Sequence, residues 1–353
     1  MKKPRIKRRK KEAPEAPARI TNETVAEHRE KILAGGRRFK YPHQYARHRL
    51  VINAILISLA TLVILVVVAW WQLYPMQNTS TFFYRLTRIL PVPVASVDGT
   101  SVRYSDYLVS LSGSKHYLEQ TEGLNLDSAD GKRQIEYIKR QALDSAIADT
   151  YAAKIAREKN ITVSDSEVEA AIDASRDTVS GRISREVYDD SAYSTFGYEA
   201  DEYRDILQRA LLRQKVAYAV DGTARDAKTT AEGYIRQAKK PTLSALATQL
   251  KKAGFVVQAG SSGSVPLTNH DGGLTQAARQ LTKGKVSGFL SSTTGDGYYL
   301  VQLTSKTETQ LSYDFLKIPL TEFDRGLQQL ASKRAIREYI SVSKTTSEII
   351  YNK

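Results

Sequence analysis

From Leu50 to Trp71 the chain reads LVINAILISLATLVILVVVAWW, 22 uncharged residues whose only polar members are Asn53, Ser58 and Thr61. At ~1.5 Å per residue the run reaches about 33 Å, against a hydrocarbon core of roughly 30 Å, and Trp70, Trp71 and Tyr74 form an aromatic belt at one end. The pattern predicts a single transmembrane helix over 50–72. A cleaved signal peptide carries an apolar core of about 7–15 residues nearer the start, followed by small residues, so the run is read as an uncleaved anchor.

Downstream the apolar positions become periodic. Phe82 to Leu90 is short and amphipathic, predicting a helix at the bilayer surface within a juxtamembrane segment 73–93 and ended by Pro91 and Pro93. Val94 to Val102 reads as a hairpin about Asp98-Gly99. A helix capped by Ser105 carries Tyr107, Leu108 and Leu111. A longer one after Gly131 sets Ile135, Ile138, Ala142, Leu143, Ala146 and Ile147 on one face and ends at Asn160. Ser164-Asp165-Ser166-Glu167 is a capping box opening a third helix with Val168, Ala171 and Ile172 inward. A fourth, about Asp201 to Val220, buries Tyr203, Ile206, Leu207, Ala210, Leu211 and Val216, and Asp221-Gly222 stops it. Residues 94–222 thus read as a helical domain. Glycine, serine, threonine and valine then dominate 254–303. Tyr298–Leu303 and Ser312–Ile318 are strand candidates, predicting a small α+β module over 223–320. A last helix, about Glu322 to Ser341, aligns Phe323, Leu327, Leu330, Ile336 and Ile340, so that 321–353 is read as a C-terminal helix. The fold class is mainly α with a small α+β module and one membrane span.

Charge sets the orientation. The first fifty residues hold 16 Lys/Arg against 5 Asp/Glu, leaving the remaining chain near balance within a total of +14. Arg37, Arg38, Lys40, Arg47 and Arg49 crowd the N-terminal flank of the span, and the first charge beyond it is Arg85, which places 1–49 in the cytoplasm and the C-terminal domain outside the cell membrane. The run MKKPRIKRRKK is read as a topology and lipid-surface signal, each basic residue contributing about 1 kcal/mol beside an anionic leaflet. It lacks aromatic interleaving, so nucleic acid is not an expected partner. Val25 to Ala34 reads as a short helix with a Thr24/Glu27 capping box and Gly35 as its stop.

The chain has no cysteine, which excludes disulfides, thiolate metal sites and a thiol nucleophile. His116 and His270 are the histidines beyond the span and stand too far apart in sequence to suggest a nucleophile–base pair or a metal site. Asp189-Asp190 reads as a solvated acid pair and His270-Asp271-Gly272-Gly273 as a turn. No cofactor is expected.

Three strings in order resemble the chaperone domain of the SurA/PrsA/PpiD group of bacterial extracytoplasmic foldases: the entry Val97-Asp98-Gly99 through Asp106-Tyr107, the stretch Ala156 through Ile172 with Ile161-Thr162-Val163-Ser164-Asp165-Ser166-Glu167-Val168, and Gly197 followed by Glu202-Tyr203-Arg204 through Leu211-Leu212-Arg213-Gln214-Lys215-Val216. Gln276 through Ser287 and Gly297-Tyr298-Tyr299-Leu300-Val301 resemble the end of a parvulin-type peptidyl-prolyl isomerase module. The departures are specific. Tyr299 stands where that family has a histidine, no His-Ile-Leu opening strand occurs between Thr223 and Leu250, and the stretch after Gly273 is too short to supply the Met and Phe of the proline pocket.

The resemblance implies a SurA-N-like chaperone domain, a degenerate parvulin-like module and a C-terminal helix packed back on the helical domain. It also implies a membrane-anchored extracytoplasmic chaperone or foldase, with isomerase activity weak or absent, whose clients are unfolded or exported polypeptides. The peptide site is expected in an apolar groove between helical domain and module, with Leu281, Phe289 and Tyr299 as contacts. Partners besides clients are the lipid bilayer and, as a further candidate, the translocation machinery. Two other readings stay open: a scaffolding membrane protein whose ectodomain docks one dedicated envelope partner, and an active isomerase.

Overall fold

The computed structural model describes residues 21–40, 42–178, 181–238 and 241–343, with side chains outside 35–47. The basic run at 1–11 and the last ten residues of the expected C-terminal helix lie outside the described residues. The chain divides into two compact units, Met1–Gln72 and Leu73–Lys353.

The first unit holds helices α1 (Asn22–Lys40) and α2 (Pro42–Leu73). Helix α1 starts one turn before the expected position: the Thr21 N–H donates to Thr24 Oγ1 at 3.0 Å, and that hydroxyl returns a bond to the Thr21 carbonyl. It also runs through Gly35-Gly36 instead of stopping there. Glycine lowers helix propensity by about 1 kcal/mol without forbidding a helix, so Gly35 alone is a weak stop. Within α2, His48–Leu73 is long and apolar enough to cross a membrane, and its apolar side chains are exposed all round, as a span requires.

The second unit is mostly helical with small antiparallel sheets. After α3 (Thr81–Ile89), strands β1 (Pro93–Val97) and β2 (Thr100–Arg103) form the expected hairpin. Its turn needs two left-handed residues, supplied by Asp98 at φ 47° and Gly99 at φ 78°. Helix α4 (Tyr104–His116) starts directly from β2 with Arg103 at its N-cap, so Ser105 lies buried in the first turn and is not the cap. A π-helical turn, Tyr117–Thr121, leads to α5 (Ala129–Lys159). The Ser128 hydroxyl caps that helix through the Gly131 N–H, and Asn160, left-handed at φ 55°, ends it. The Ser164/Glu167 capping box opens α6 (Asp165–Ser175) as expected. A short hairpin, β3 (Asp177–Thr178) and β4 (Gly181–Arg182), precedes α7 (Arg185–Phe196) and α8 (Ala200–Val220). One core joins α4, α5, α8 and the β1–β2 hairpin through Tyr104, Leu108, Leu111, Leu143, Ile147 and Val216.

Asp221 ends α8, yet its carboxylate also caps α9 (Gly222–Gln237) by accepting the Ala224 N–H at 2.8 Å. Helix α10 (Leu243–Lys252) follows, then β5 (Gln258–Ser261), β6 (Val265–Pro266), α11 (Leu274–Arg279), β7 (Leu290–Ser291), β8 (Gly297–Lys306) and β9 (Gln310–Pro319). The sheet order is β5-β9-β8-β7, with β6 also pairing β9. Alternation along β8 and β9 sends Tyr298, Leu300, Leu316 and Ile318 to α9 and α10, and Tyr299, Val301, Leu303 and Tyr313 to α11.

The C-terminal segment departs from expectation. Helix α12 (Glu322–Ser332) stops nine residues before Ser341, the chain turns through Arg334 at φ 56°, and β10 (Ile336–Glu338) pairs with β1 in a β10-β1-β2 sheet. Ile336 and Ile340 are four apart, a spacing that places them on one face of a strand as well as of a helix. The free edge of β1 decides between the two, and Arg140, buried on α5, fixes the strand by bonding both Glu338 oxygens at 3.0 and 3.1 Å. Phe323 and Leu327 of α12 do pack in the helical core.

Candidate functional site

A cleft of about 1280 Å³ opens between the helical part and the α+β part. Its helical wall is built by spacing: Leu207, Ala210, Leu211, Gln214 and Ala217 recur at three and four residues along α8, and Ala171 and Ala174 extend the wall on α6. The capping box and the left-handed Gly197 fix where α6 starts and α7 ends. The opposite wall consists of the loop 267–273, Gln276 and Arg279 of α11, the turn 293–296 and Lys317, with Phe323 and Asp324 of α12 also lining it. The His270-Asp271-Gly272-Gly273 turn predicted from sequence is present, with Gly272 at φ 74° and Gly273 at φ 95°, and His270 lines the cleft.

Three contacts hold the walls together. Gln214 Nε2 donates to the Ser292 carbonyl at 2.8 Å, the Tyr218 hydroxyl donates to the Gly297 carbonyl at 2.6 Å, and the Tyr218 and Tyr298 rings sit 5.0 Å apart. Charge is paired at the margins. Arg213 lies 3.0 Å from Asp149 and Lys317 lies 2.6 Å from Asp296. Burial pushes the Asp149 carboxyl up, and Arg213 and Arg209 only partly offset it. At Asp296 burial acts in the same direction, but hydrogen bonds from Lys317, Thr294 and Tyr299 outweigh it and hold the carboxyl down at about 2.

The residues expected to contact peptide are placed otherwise. Tyr299 is buried beneath α11, its hydroxyl donates to Asp296 Oδ2 at 2.7 Å, and its ring packs 6.0 Å from that of Phe315. Burial, then that bond to a carboxylate, pushes the phenol well above its ordinary range. Leu281 packs against the same cluster, whereas Phe289 packs against the cluster under α9 and α10, on the other face of the sheet. The three are therefore not brought together, and the cleft walls are made by other residues. Sequence reading missed Ala171, Ala174, Ala210 and Ala217 as a wall because alanines at helical spacing also suit a closed helix–helix contact. Their smallness was the available signal. His116 ties α4 to α7 through Ser194, and Asp189 is engaged by Arg185, so both serve packing. Among the described residues no group of three histidines or carboxylates converges to hold a metal ion.

The class defined by these features is a helical domain carrying an α+β insertion, with a cleft between them. Residues 46–217, just under half of the chain, match the family model of the SurA-like N-terminal domain. The match begins inside α2 and ends near the end of α8, so it takes in the apolar run together with the helical wall of the cleft. No curated protein matches the chain.

Proposed function

We propose that this chain is a membrane-anchored extracytoplasmic chaperone that holds extended apolar segments of exported proteins in the cleft between its helical domain and a degenerate parvulin-like module. The observation that carries the reading is an open cleft whose helical wall is largely alanine and leucine, interrupted by Arg213 and Gln214, on a segment matching a SurA-like chaperone domain. Small side chains leave room for a client's larger ones. Each methylene a client buries there contributes about 0.8 kcal/mol, with little sequence preference because the contact is shape-tolerant. The span His48–Leu73 would keep the cleft at the membrane where exported chains emerge, and the basic flank supports an outward ectodomain.

Isomerase activity is expected to be weak or absent. Rotation about an X-Pro bond faces a barrier of ~18–20 kcal/mol, and lowering it requires polar groups free to act on a twisted imide in a desolvated pocket. Tyr299 has its hydroxyl committed to Asp296 and is buried. The competing reading is a scaffold for one dedicated envelope partner.

The test uses residues 73–353, because Leu73, Phe83 and Tyr84 belong to the core and a start at Val94 would remove them. This unit should suppress aggregation of several unrelated unfolded reporters, and Ala210→Trp, which narrows the cleft, should weaken suppression about fivefold or more. Binding of a single envelope protein with no effect on the reporters would favour the scaffold. Full suppression by Ala210→Trp would remove the cleft from the reading.

A further inference from the structure

Helix α3 buries a polar residue and exposes apolar ones. Thr87 is 0% exposed, its hydroxyl turned back onto the Phe83 and Tyr84 carbonyls at 2.9 and 3.1 Å, while Phe82 is 68% and Ile89 81% exposed. At 3.6 residues per turn Phe82 and Ile89 project within about 20° of each other, with Arg85 beside them and Thr87 on the opposite side. The helix is held in this rotation. Arg88 reaches Asp201, Glu202 and Asp205 on α8 at 3.1, 3.7 and 3.6 Å, Tyr84 bonds Glu202, and Phe83 packs into the core. Rolling the helix to bury Phe82 would break all of these contacts.

The surroundings indicate what covers the exposed face. Leu73 ends the apolar helix α2 and is itself buried in the core that takes in Phe83 and Tyr84, with its carbonyl accepting the Tyr104 hydroxyl at 2.6 Å. Thr81 follows only eight residues later. Helix α3 therefore stands close to where the chain leaves its apolar run. Leu90 and Met76 add exposed apolar surface nearby in sequence, and among the described residues no carboxylate forms an ion pair with Arg85.

We infer that the Phe82/Arg85/Ile89 face of α3 is immersed in the lipid interface, with the apolar side chains at the acyl boundary and the Arg85 guanidinium on headgroup phosphate. This rests on the membrane-anchor reading. Helix α8 both receives Arg88 at its N-terminal end and forms the cleft wall, so an immersed α3 would set the height of the cleft above the bilayer.

The natural chain has no cysteine, so each introduced one is unique. Full-length Phe82→Cys, Ile89→Cys, Leu62→Cys and Glu158→Cys proteins are labelled with a polarity-sensitive fluorophore and reconstituted in phosphatidylcholine/phosphatidylglycerol vesicles. Probes at 82 and 89 should be quenched by shallow spin-labelled lipid, and by external iodide about threefold or more less than the probe at 158. If 62 is quenched by lipid while 82 and 89 answer iodide as 158 does, the α3 inference is overturned and the anchor stands. If 62 escapes quenching by lipid spin-labelled deep in the acyl chain, the anchor fails and the inference with it. Shielding of 82 and 89 from both quenchers would mean that protein, a second copy or a client, covers the face, which also overturns the proposal.

Discussion

Asp221 and Thr321 are one hundred residues apart, and the Thr321 N–H donates to Asp221 Oδ2 at 2.6 Å. The same oxygen accepts the Glu322 N–H at 3.1 Å, while Oδ1 caps α9 through Ala224. The outgoing and returning connections of the α+β insertion are thus fastened by one fully buried carboxylate.

Asp221→Asn keeps the shape of the side chain but turns an amide N–H₂ toward backbone donors. We expect a loss of about 2–4 kcal/mol, since buried donors left without an acceptor cost roughly 1–3 kcal/mol each, and faster amide exchange at 320–322. Urea unfolding and hydrogen exchange read the two effects. An unchanged midpoint with unchanged protection would show that the junction does not depend on this carboxylate.

Acid should loosen the Lys317–Asp296–Tyr299 network. The Asp296 carboxyl is held at about 2, below its value of about 3.8 in an unfolded chain, so its contribution is fully present above pH 3.8 and is lost as pH falls toward 2. The side chain is 40% exposed, and solvent screening limits the loss to about 1 kcal/mol. Asp149 works in the opposite sense: its raised carboxyl penalises the folded state at neutral pH, and acidification toward 3.8 relieves that penalty. Stability of Asp296→Asn should therefore fall less steeply than wild type between pH 4 and pH 2.5. Parallel curves would remove Asp296 from the acid response.

Tyr299→Phe removes one hydrogen bond without altering the packing against Phe315. The expected cost is about 0.5–1.5 kcal/mol, and acceleration of a proline-limited refolding reaction should be as weak in the variant as in the parent. Uncatalysed isomerisation takes tens to hundreds of seconds, so a tenfold acceleration would be obvious. Strong acceleration abolished by the substitution would restore the isomerase reading.

Arg140 bridges Asp144 on its own helix and Glu338 on β10 from a buried position. Arg140→Met leaves two part-buried carboxylates facing each other and should cost about 3 kcal/mol, at the low end for breaking a buried pair. Release of β10 should be visible as protease cleavage near residues 333–340. Retained resistance would mean that β1 pairing alone holds the C-terminal strand.

Local chemistry was legible in the chain. A span needs only length and apolarity, the Asp98-Gly99 turn needs two residues tolerant of positive φ, and the Ser164/Glu167 cap and Asn160 stop are satisfied by atoms a few residues away. The sequence also determined the period of α5 and α8 and the alternation of β8 and β9. What it left open depended on partners distant along the chain. Ile336 and Ile340 suit helix or strand equally, and the unpaired edge of β1, some 240 residues earlier, settled it. Tyr299 matched a motif position, but the Asp296 carboxylate and the packing under α11 decided where its hydroxyl points. Ala210 and Ala217 have the spacing of a packed helix face. Only the Asp221 junction, together with the Gln214 and Tyr218 contacts to the Ser292–Gly297 turn, holds the opposite wall far enough away for them to line a cleft.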